Sequence, residues 1–290
     1  DTVNIRIKNS IKDFNIVINN PRKMIDGKRN NYRKNFIDCP HTVLKKNENT
    51  LYFFHNQGLM MHERENQGIL YRSSGTLEQP AQTIESGNYV PEVWNKNGHQ
   101  TQGIWLVGIY KIGENELLGF THNESCYEED KPCNKETKYF SLGLGYSQDN
   151  GKTWQYCGDI IRTPRYGKEG AANIKGVPYI LKDEYFYIYF WEFPDKNVFY
   201  PAVARAKITD VIAAAQKGES VNWKKYNSGN WNENGLNGLA SNIMDNLNET
   251  FNMHCKVSYV PSIQKYFMIT YVNGKQNIYI LLSDDGLKWE

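Results

Sequence analysis

Residues 139–154 read Tyr-Phe-Ser-Leu-Gly-Leu-Gly-Tyr-Ser-Gln-Asp-Asn-Gly-Lys-Thr-Trp, and they predict a β-strand that runs into a tight turn. The first half alternates large apolar residues with small ones, which is the period of a strand. The second half contains Asp149, whose short carboxylate can bond the local backbone, and Gly151, which tolerates a positive φ. Trp154 closes the turn and can pack beneath it. The stretch therefore predicts a β-hairpin.

The same design recurs at residues 277–289, which read Asn-Ile-Tyr-Ile-Leu-Leu-Ser-Asp-Asp-Gly-Leu-Lys-Trp. Here Asp285, Gly286 and Trp289 take the places of the Asp, Gly and Trp of the earlier stretch. A design that recurs within one chain indicates an architecture built from a repeated supersecondary unit. The fold is therefore decided by a repeat and not by a single hairpin.

Two further strand-like segments precede each of these stretches, so the repeated unit is strand–turn–strand–loop–strand. Residues 1–36 contain two additional strand-like segments. The four copies of the unit occupy approximately residues 38–99, 100–168, 169–252 and 253–290. Repeated antiparallel units of this kind predict an all-β fold, and specifically a β-propeller formed by residues 1–290 as a single domain.

The number of blades follows less directly from the repeats. The last copy stops at Glu290, where a fourth strand would follow, and strand-like segments at residues 3–7 and 14–18 precede the first copy. Pairing of N-terminal with C-terminal strands in one blade would remove an exposed sheet edge. We therefore expect five blades, with the last one partial or closed by the N-terminal strands. A further C-terminal segment is the alternative.

One helix is predicted within the third copy, at residues 208–218, which read Ile-Thr-Asp-Val-Ile-Ala-Ala-Ala-Gln-Lys-Gly. Thr209 is the candidate N-cap, and Gly218 is the expected stop at the C-terminal end. This helix takes the place that the Asp- and Gly-containing turn has in the other copies.

Composition excludes several classes of function. Aromatic residues make up 13% of the chain, which favours strands and offers ring faces on which sugars can stack. The net charge of +2 is spread along the chain, so the sequence does not support binding to nucleic acid. No apolar run is long enough to span a membrane. The start at Asp1, without Met, indicates either a secreted or periplasmic protein whose signal peptide has been removed or a chain that has been shortened. The five cysteines have no metal-ligand spacing.

The repeat predicts where polar side chains meet. In a propeller blade the first strand begins, and the second strand ends, at the same face near the central channel. Polar residues at these points should therefore share one pocket, although any one of them is also an ordinary residue of a turn or rim. The candidates at these positions are Asp38, His41, His55, His122, Glu124, Glu169, Trp191, Glu192 and His254.

Two features resemble known families. Asp38-Cys-Pro40, followed by Asn-Thr-Leu-Tyr-Phe-Phe at residues 49–54, resembles the first blade of the five-bladed arabinanase, xylosidase and fructosidase clans of glycoside hydrolases. The turn at residues 147–154 resembles the Asp-box of sialidases. The first resemblance implies that Asp38 is a catalytic carboxylate and that Glu169, at the start of the third copy, is a general acid.

The sequence also departs from that family pattern. Residues 100–103, Gln-Thr-Gln-Gly, stand where the families have a second-blade Asp, and Glu169 lacks the Pro that usually follows the acid. Glu124 is the candidate that replaces the missing carboxylate. The motifs are short, and non-enzymatic propellers share them.

The resemblance implies a glycoside hydrolase that acts on a complex polysaccharide or oligosaccharide. Such enzymes use two carboxylates beside the glycosidic bond, one as general acid and one as base or nucleophile. Asp38 is the expected base, and Glu169 or Glu124 the acid. Glu192 would tune pKa values or hold a hydroxyl, because neighbouring carboxylates raise one another's pKa. The expected substrate-binding residues are His41, His55, His122, Trp191 and His254.

Two alternatives remain open. The first is a carbohydrate-binding propeller without turnover, in which Trp94, Trp105 and Trp191 would be platforms for sugars. The second is a sialidase, which is less favoured because few arginines lie near the predicted strand ends. In each case we expect a monomer that binds carbohydrate, with no cofactor and no metal ligand set. A calcium ion in the central channel is compatible with this expectation.

Overall fold

The computed structural model describes a chain of β-strands with one helix. The described residues are 2–7, 14–19, 42–56, 70–77, 79, 83–85, 100–126, 138–164, 174, 176, 178–195, 197–272, 274–275 and 277–290. The elements are β1 (Thr2–Ile7), β2 (Phe14–Asn19), β3 (Thr42–Lys45), β4 (Leu51–Asn56), β5 (Leu70–Gly75), β6 (Thr83–Glu85), β7 (Gln100–Lys111), β8 (Leu117–Cys126), β9 (Lys138–Ser147), β10 (Gln155–Ile161), β11 (Tyr179–Lys182), β12 (Tyr185–Asp195), β13 (Val198–Lys207), α1 (Ile208–Ala215), β14 (Lys224–Asn227), β15 (Asn230–Asn234), β16 (Lys256–Val260), β17 (Lys265–Tyr271) and β18 (Ile278–Ser283).

These strands form four antiparallel sheets that follow one another along the chain. Sheet I contains β3–β6, sheet II β7–β10, sheet III β11–β15 and sheet IV β16–β18, and β1 pairs with β2 separately. Within each sheet, strands that are adjacent in sequence are also adjacent in space. Consecutive meanders of this kind are the organisation of propeller blades. Within the described residues, the prediction of a β-fold that one helix interrupts is therefore confirmed.

Each of the four sheets lies within one of the predicted repeats. The outer strands β6 and β10 follow the three strands that the sequence predicts for the first two copies. Sheet III also contains a hairpin of β14 and β15, which the sequence analysis did not predict. This hairpin brings a lysine side chain against β12 and determines the surroundings of the candidate residue Glu192.

The helix has the predicted location but a different N-terminal end. It begins at Ile208, and the N-cap is Lys207, which has the extended conformation of the preceding strand. Ile208 donates its backbone N–H to the carbonyl of Glu184 at 2.9 Å, so the pairing of β12 with β13 continues to the first helical residue. Thr209 therefore lies inside the first turn, and the prediction that it is the N-cap was wrong. After the helix, Gly218 has a φ of +77°.

Aromatic side chains fill the spaces between consecutive sheets. Between sheets II and III, the rings of Phe120 and Phe186 lie 5.3 Å apart. Between sheets III and IV, Tyr189 meets Trp289 edge to face at 5.7 Å. The sheets therefore pack face to face in chain order, and burial of these rings is the main favourable contribution to their association.

The turn at residues 147–154 has the hydrogen bonds that its sequence predicts. The Asp149 carboxylate accepts from the backbone N–H of Thr153 at 2.9 Å and from the Thr153 hydroxyl at 2.7 Å. The Ser147 hydroxyl accepts from the N–H of Gly151 at 2.8 Å. Burial by itself would raise the pKa of Asp149, but the bonds from Thr153 and Ser147 hold that pKa below its usual value. The turn is therefore closed by an ionised carboxylate.

Trp154 lies under this turn and joins sheet I to sheet II. Its indole N–H donates to the carbonyl of Gly151 at 3.2 Å, and its ring meets Phe54 of β4 at 6.4 Å. Gly151 has a φ of +82°, and a Cβ there would lie 2.5 Å from the Phe54 ring. Glycine is thus required at this position both by the backbone conformation and by the approach of the neighbouring sheet.

We expect Trp154→Ala to lower the free energy of unfolding by about 3 kcal/mol, because the indole leaves a cavity between two sheets. Urea denaturation followed by circular dichroism measures this change. Lys152→Ala removes an exposed side chain of the same turn and is the control, with an expected change within about 0.5 kcal/mol. A loss below about 1 kcal/mol for Trp154→Ala would show that the ring does not stabilise the contact between the sheets.

Candidate functional site

His122 and Glu124 form the first part of the site, on the second strand of sheet II. They are two residues apart on β8, so their side chains project from the same face. His122 Nε2 lies 3.5 Å from Glu124 Oε1, and the exposed fraction of the side chain is 4% for the histidine and 22% for the glutamate. Glu124 is therefore the member of the pair that solvent and a ligand can reach.

Three rings enclose His122. Phe140 of the adjacent strand stacks on it with a centroid distance of 5.6 Å and an angle of 14°. Trp105 of β7 lies at 5.5 Å. His254, which precedes β16, meets it edge to face at 5.6 Å. Sheets II and IV are not consecutive in the chain, yet their side chains meet here. Such a meeting is expected near the axis of a ring of sheets.

The position of His254 is determined by Asn252, a buried residue of the same segment. The side-chain oxygen of Asn252 accepts from the backbone N–H of His254 at 2.7 Å. The backbone of Asn252 donates to the carbonyl of Tyr271 at 2.8 Å and accepts from the Thr270 hydroxyl at 2.5 Å. These bonds attach the segment to β17, so His254 approaches His122 from a fixed position.

Two buried nitrogen atoms at this site have no hydrogen-bond partner among the described residues. They are Nδ1 of His122 and the indole Nε1 of Trp105, and each residue is 3% exposed. Buried polar atoms in proteins are nearly always hydrogen-bonded. These two nitrogen atoms are therefore exceptions to that rule, and they lie next to the partly exposed carboxylate of Glu124.

Glu192 has surroundings that differ from those expected of a pocket residue. Its side chain is completely buried, and Oε2 accepts from Lys225 Nζ at 2.6 Å and from the N–H of Ala240 at 3.1 Å. Oε1 accepts from the N–H of Phe193 at 3.2 Å. Burial raises the pKa of Glu192, and the Lys225 ammonium opposes that shift. These contacts are those of a structural ion pair. The sequence analysis did not expect the pair, because the lysine comes from β14, a strand that it did not predict.

Trp191 also differs from its predicted role as a platform for sugars. Its ring is 3% exposed and lies 4.7 Å from the ring of Phe199. The indole N–H donates to the carbonyl of Phe251 at 2.6 Å. Because neighbouring side chains cover the ring, Trp191 belongs to the core between sheets III and IV and offers no face to a sugar in this arrangement.

The sequence analysis missed a polar cluster on β8–β10, on the face of sheet II opposite to His122 and Glu124. The Asp159 carboxylate accepts from the Ser141 hydroxyl at 2.7 Å and from the Asn123 amide at 3.2 Å. The hydroxyl of Tyr156 also donates to it, and Arg162 Nε lies 3.3 Å from its other oxygen. Desolvation, followed by the neighbouring Asp159 charge, raises the pKa of Tyr156 well above its usual value. No motif identifies these residues, because the cluster depends on the register of three strands.

Lys225 connects this cluster to sheet III. Besides Glu192, its ammonium donates to the carbonyl of Arg162 at 2.7 Å and to that of Gly238 at 2.7 Å. All three ammonium protons therefore have acceptors. The ion pair holds the end of β10, the end of β12 and the segment after β15 together.

The remaining candidates fall outside the part of the chain that the structure describes. Asp38, His41 and Glu169 lie outside the described residues. His55 lies in β4, but its side chain is outside the described part.

Within the described ranges, no group of three or more His, Cys, Asp or Glu side chains is arranged to hold a metal ion. No helix among the described residues has the length and apolar character needed to cross a membrane.

No protein-family model matches the sequence, and no curated protein matches it. Several solved structures are similar to the structure of this chain. A family 117 glycoside hydrolase from the marine bacterium Zobellia galactanivorans aligns over 100% of this chain and 73% of its own, with 11% identity and a TM-score of 0.54. A thermostable family-43 glycoside hydrolase aligns over 86% and 73%, with 13% identity and a TM-score of 0.47. The alpha-L-arabinanase of Penicillium chrysogenum aligns over 82% and 60%, with 12% identity and a TM-score of 0.47. Of these three, only the first similarity is strong enough to show a shared fold.

Proposed function

We propose that the protein is a glycoside hydrolase that acts on a polysaccharide or oligosaccharide, with its centre at Glu124, His122 and His254. The observation that carries this proposal is a partly exposed carboxylate, held 3.5 Å from a buried histidine, where side chains of sheets II and IV meet. Because the fold is shared with a glycoside hydrolase, the proposal also has support by analogy, although a shared fold does not imply a shared function.

Hydrolysis of a glycosidic bond needs a carboxylic acid that protonates the leaving oxygen and a second carboxylate on the other side of the bond. In this proposal Glu124 is the acid, since its side chain reaches solvent while His122 restricts its orientation. Asp38 is the base or nucleophile, as the family resemblance implies. Glu169 is the alternative acid. His122, whose ring is buried, would hold the Glu124 carboxylate in place beside the substrate.

The experiment that tests this function is incubation of the purified protein with a panel of plant, algal and fungal glycans and with aryl glycosides. Chromatography of the products should show hydrolysis of at least one of them, and proton NMR of the first product gives the anomeric configuration. Binding of several glycans without cleavage of any would instead support the second candidate, a carbohydrate-binding propeller without turnover.

We further propose that the sheets close into a five-bladed ring. Support comes from sheet IV, where Ile269, Tyr271 and Ile278 are 45%, 40% and 74% exposed. The three project from one face, since Tyr271 pairs with Ile278. A fifth blade that includes β1 and β2 would cover this face and bury apolar surface, which is favourable. Small-angle X-ray scattering of a monomer with the profile of an open arc would contradict this proposal.

We also propose that the protein is secreted or periplasmic, as expected for an enzyme that acts on polysaccharides outside the cell. This proposal rests on the glycoside hydrolase function proposed above, because polysaccharides lie outside the cell. Fractionation of the source cells, with detection by an antibody, tests it. Recovery of the protein only from the cytoplasmic fraction would contradict it.

A further inference from the structure

A groove of about 340 Å³ lies at the outer part of sheet III, between the start of β12, the end of β13 and the hairpin of β14 and β15. Tyr185 at the start of β12 lines this groove, whereas Glu192 is seven residues further along the same strand. At the usual rise of a strand, that separation is roughly 23 Å. The groove therefore lies at the opposite end of β12 from the ion pair of Glu192 and Lys225.

We propose that this groove is an accessory binding site for an acidic sugar residue of a polysaccharide, one that carries a carboxylate or a sulfate group. The identification of the ligand as a saccharide rests on the function proposed above. The inference that the ligand is an anion depends only on the side chains that line the groove.

Arg205 is the residue that would bind the anionic group. Its guanidinium lies between two rings, with Cζ 4.4 Å from the centroid of Tyr185 and 4.3 Å from that of Trp231. One terminal nitrogen donates to the hydroxyl of Tyr187 at 3.2 Å. Two aromatic faces thus fix the guanidinium plane before any ligand arrives. A planar fork of donors held in this way matches the paired oxygens of a carboxylate or sulfate.

The charge of the groove points to an anion. Three cationic side chains line it, Arg205, Lys207 and Lys224, with Asp210 as the one carboxylate in the lining. Within the described part of the chain none of the three cations forms an ion pair, and Lys224 Nζ donates only to the neutral amide oxygen of Asn234, at 3.0 Å. Three positive charges close together repel one another. An anionic ligand would remove that repulsion.

The shape of the groove favours a sugar over other anionic partners. Its volume is at the lower end of the range of pockets for small ligands, roughly 300–1,000 Å³. Val221 and Trp231 give it apolar surface, and Asn222 gives it an amide that can bond a hydroxyl. A nucleic acid would require a long basic stripe, which disagrees with a net charge of +2 spread along the chain.

The test is isothermal titration of the whole protein with three trisaccharides: trigalacturonate, a sulfated galactotriose and neutral galactotriose. We expect at least one acidic probe to bind about tenfold or more tightly than the neutral one, because a bidentate charge-assisted bond is lost without the anion. Whether the carboxylate or the sulfate probe binds identifies the anionic group. Arg205→Ala should weaken that binding at least about tenfold. Lys217→Ala, which removes an exposed cation just after α1, is the matched control and should leave it unchanged.

Lys207→Glu is the second variant, and it keeps the test decisive if Arg205→Ala does not fold. Lys207 is exposed and is the N-cap of α1, where a carboxylate is favourable, so its reversal of charge should weaken binding of the acidic trisaccharide without lowering the thermal unfolding midpoint. The proposal is overturned if neutral galactotriose binds as tightly, if inorganic sulfate alone competes with equal affinity, or if a short oligonucleotide binds more tightly. None of these binding measurements requires turnover, so their outcome is independent of whether any glycan of the panel is hydrolysed.

Discussion

Glu124→Gln should bind its glycan with nearly the parent affinity and lose about 10²–10⁴ in kcat, the contribution of general-acid catalysis. The amide has almost the shape of the carboxyl group and can still lie beside His122, so binding should survive. It has no acidic proton to give to the leaving oxygen. Single-turnover hydrolysis, together with titration of an uncleaved substrate analogue, separates these two effects.

Asp38→Asn should be as severe, because an amide neither activates water nor attacks the sugar. Glu114→Gln is the matched control, since Glu114 is an exposed carboxylate in the turn between β7 and β8, at the other end of the same hairpin. Full activity in Glu124→Gln, with loss in Glu169→Gln, would transfer the role of acid to Glu169. Full activity in both glutamine variants would refute a glutamate acid among these candidates.

Lys225→Met should lower the free energy of unfolding by about 3–5 kcal/mol, because it leaves the carboxylate of Glu192 buried without its counter-charge. Both side chains of the pair are 0% exposed, so water cannot replace the lysine without rearrangement of the protein. The change also leaves the carbonyls of Arg162 and Gly238 without their donor. Equilibrium unfolding in urea measures the loss.

Two comparisons make this prediction specific. Lys224→Met changes the adjacent residue, whose ammonium bonds only an amide oxygen, and should cost less than about 1 kcal/mol. The double change Lys225→Met with Glu192→Met removes both charges and should recover most of the loss, since apolar replacements of buried ion pairs are often neutral. A Lys225→Met variant as stable as the parent would mean that the ion pair does not form in solution.

Much of the fold could be predicted from local patterns. Alternation along residues 139–147 and the spacing of Asp149, Gly151 and Trp154 depend on neighbours in sequence, so they predicted the strand and its turn. The shared face of His122 and Glu124 follows in the same way, because residues two apart on a strand always project from one side.

The rest depended on residues that are distant in the chain. Glu192 lies seven residues after Tyr185, as Glu124 does after Leu117, so the sequence predicts that both end a second strand at one pocket. They differ because Lys225, 33 residues later, reaches Glu192 from a hairpin that has no counterpart among the described strands of the other sheets. Trp191 likewise has a distant partner, since its indole N–H donates to the carbonyl of Phe251, 60 residues later.

The sequence did not predict the hairpin of β14 and β15. By itself, it determined the three-strand unit, the turn at residues 147–154 and the helix α1, and it predicted polar candidates at the strand ends. Only the tertiary structure decided which of those polar residues meet. His122 and His254 come from sheets II and IV and lie together, whereas Glu192 is enclosed within sheet III. The physical reason is that the period of a strand determines which way a side chain points, while its burial, charge and partners depend on the elements that pack against it.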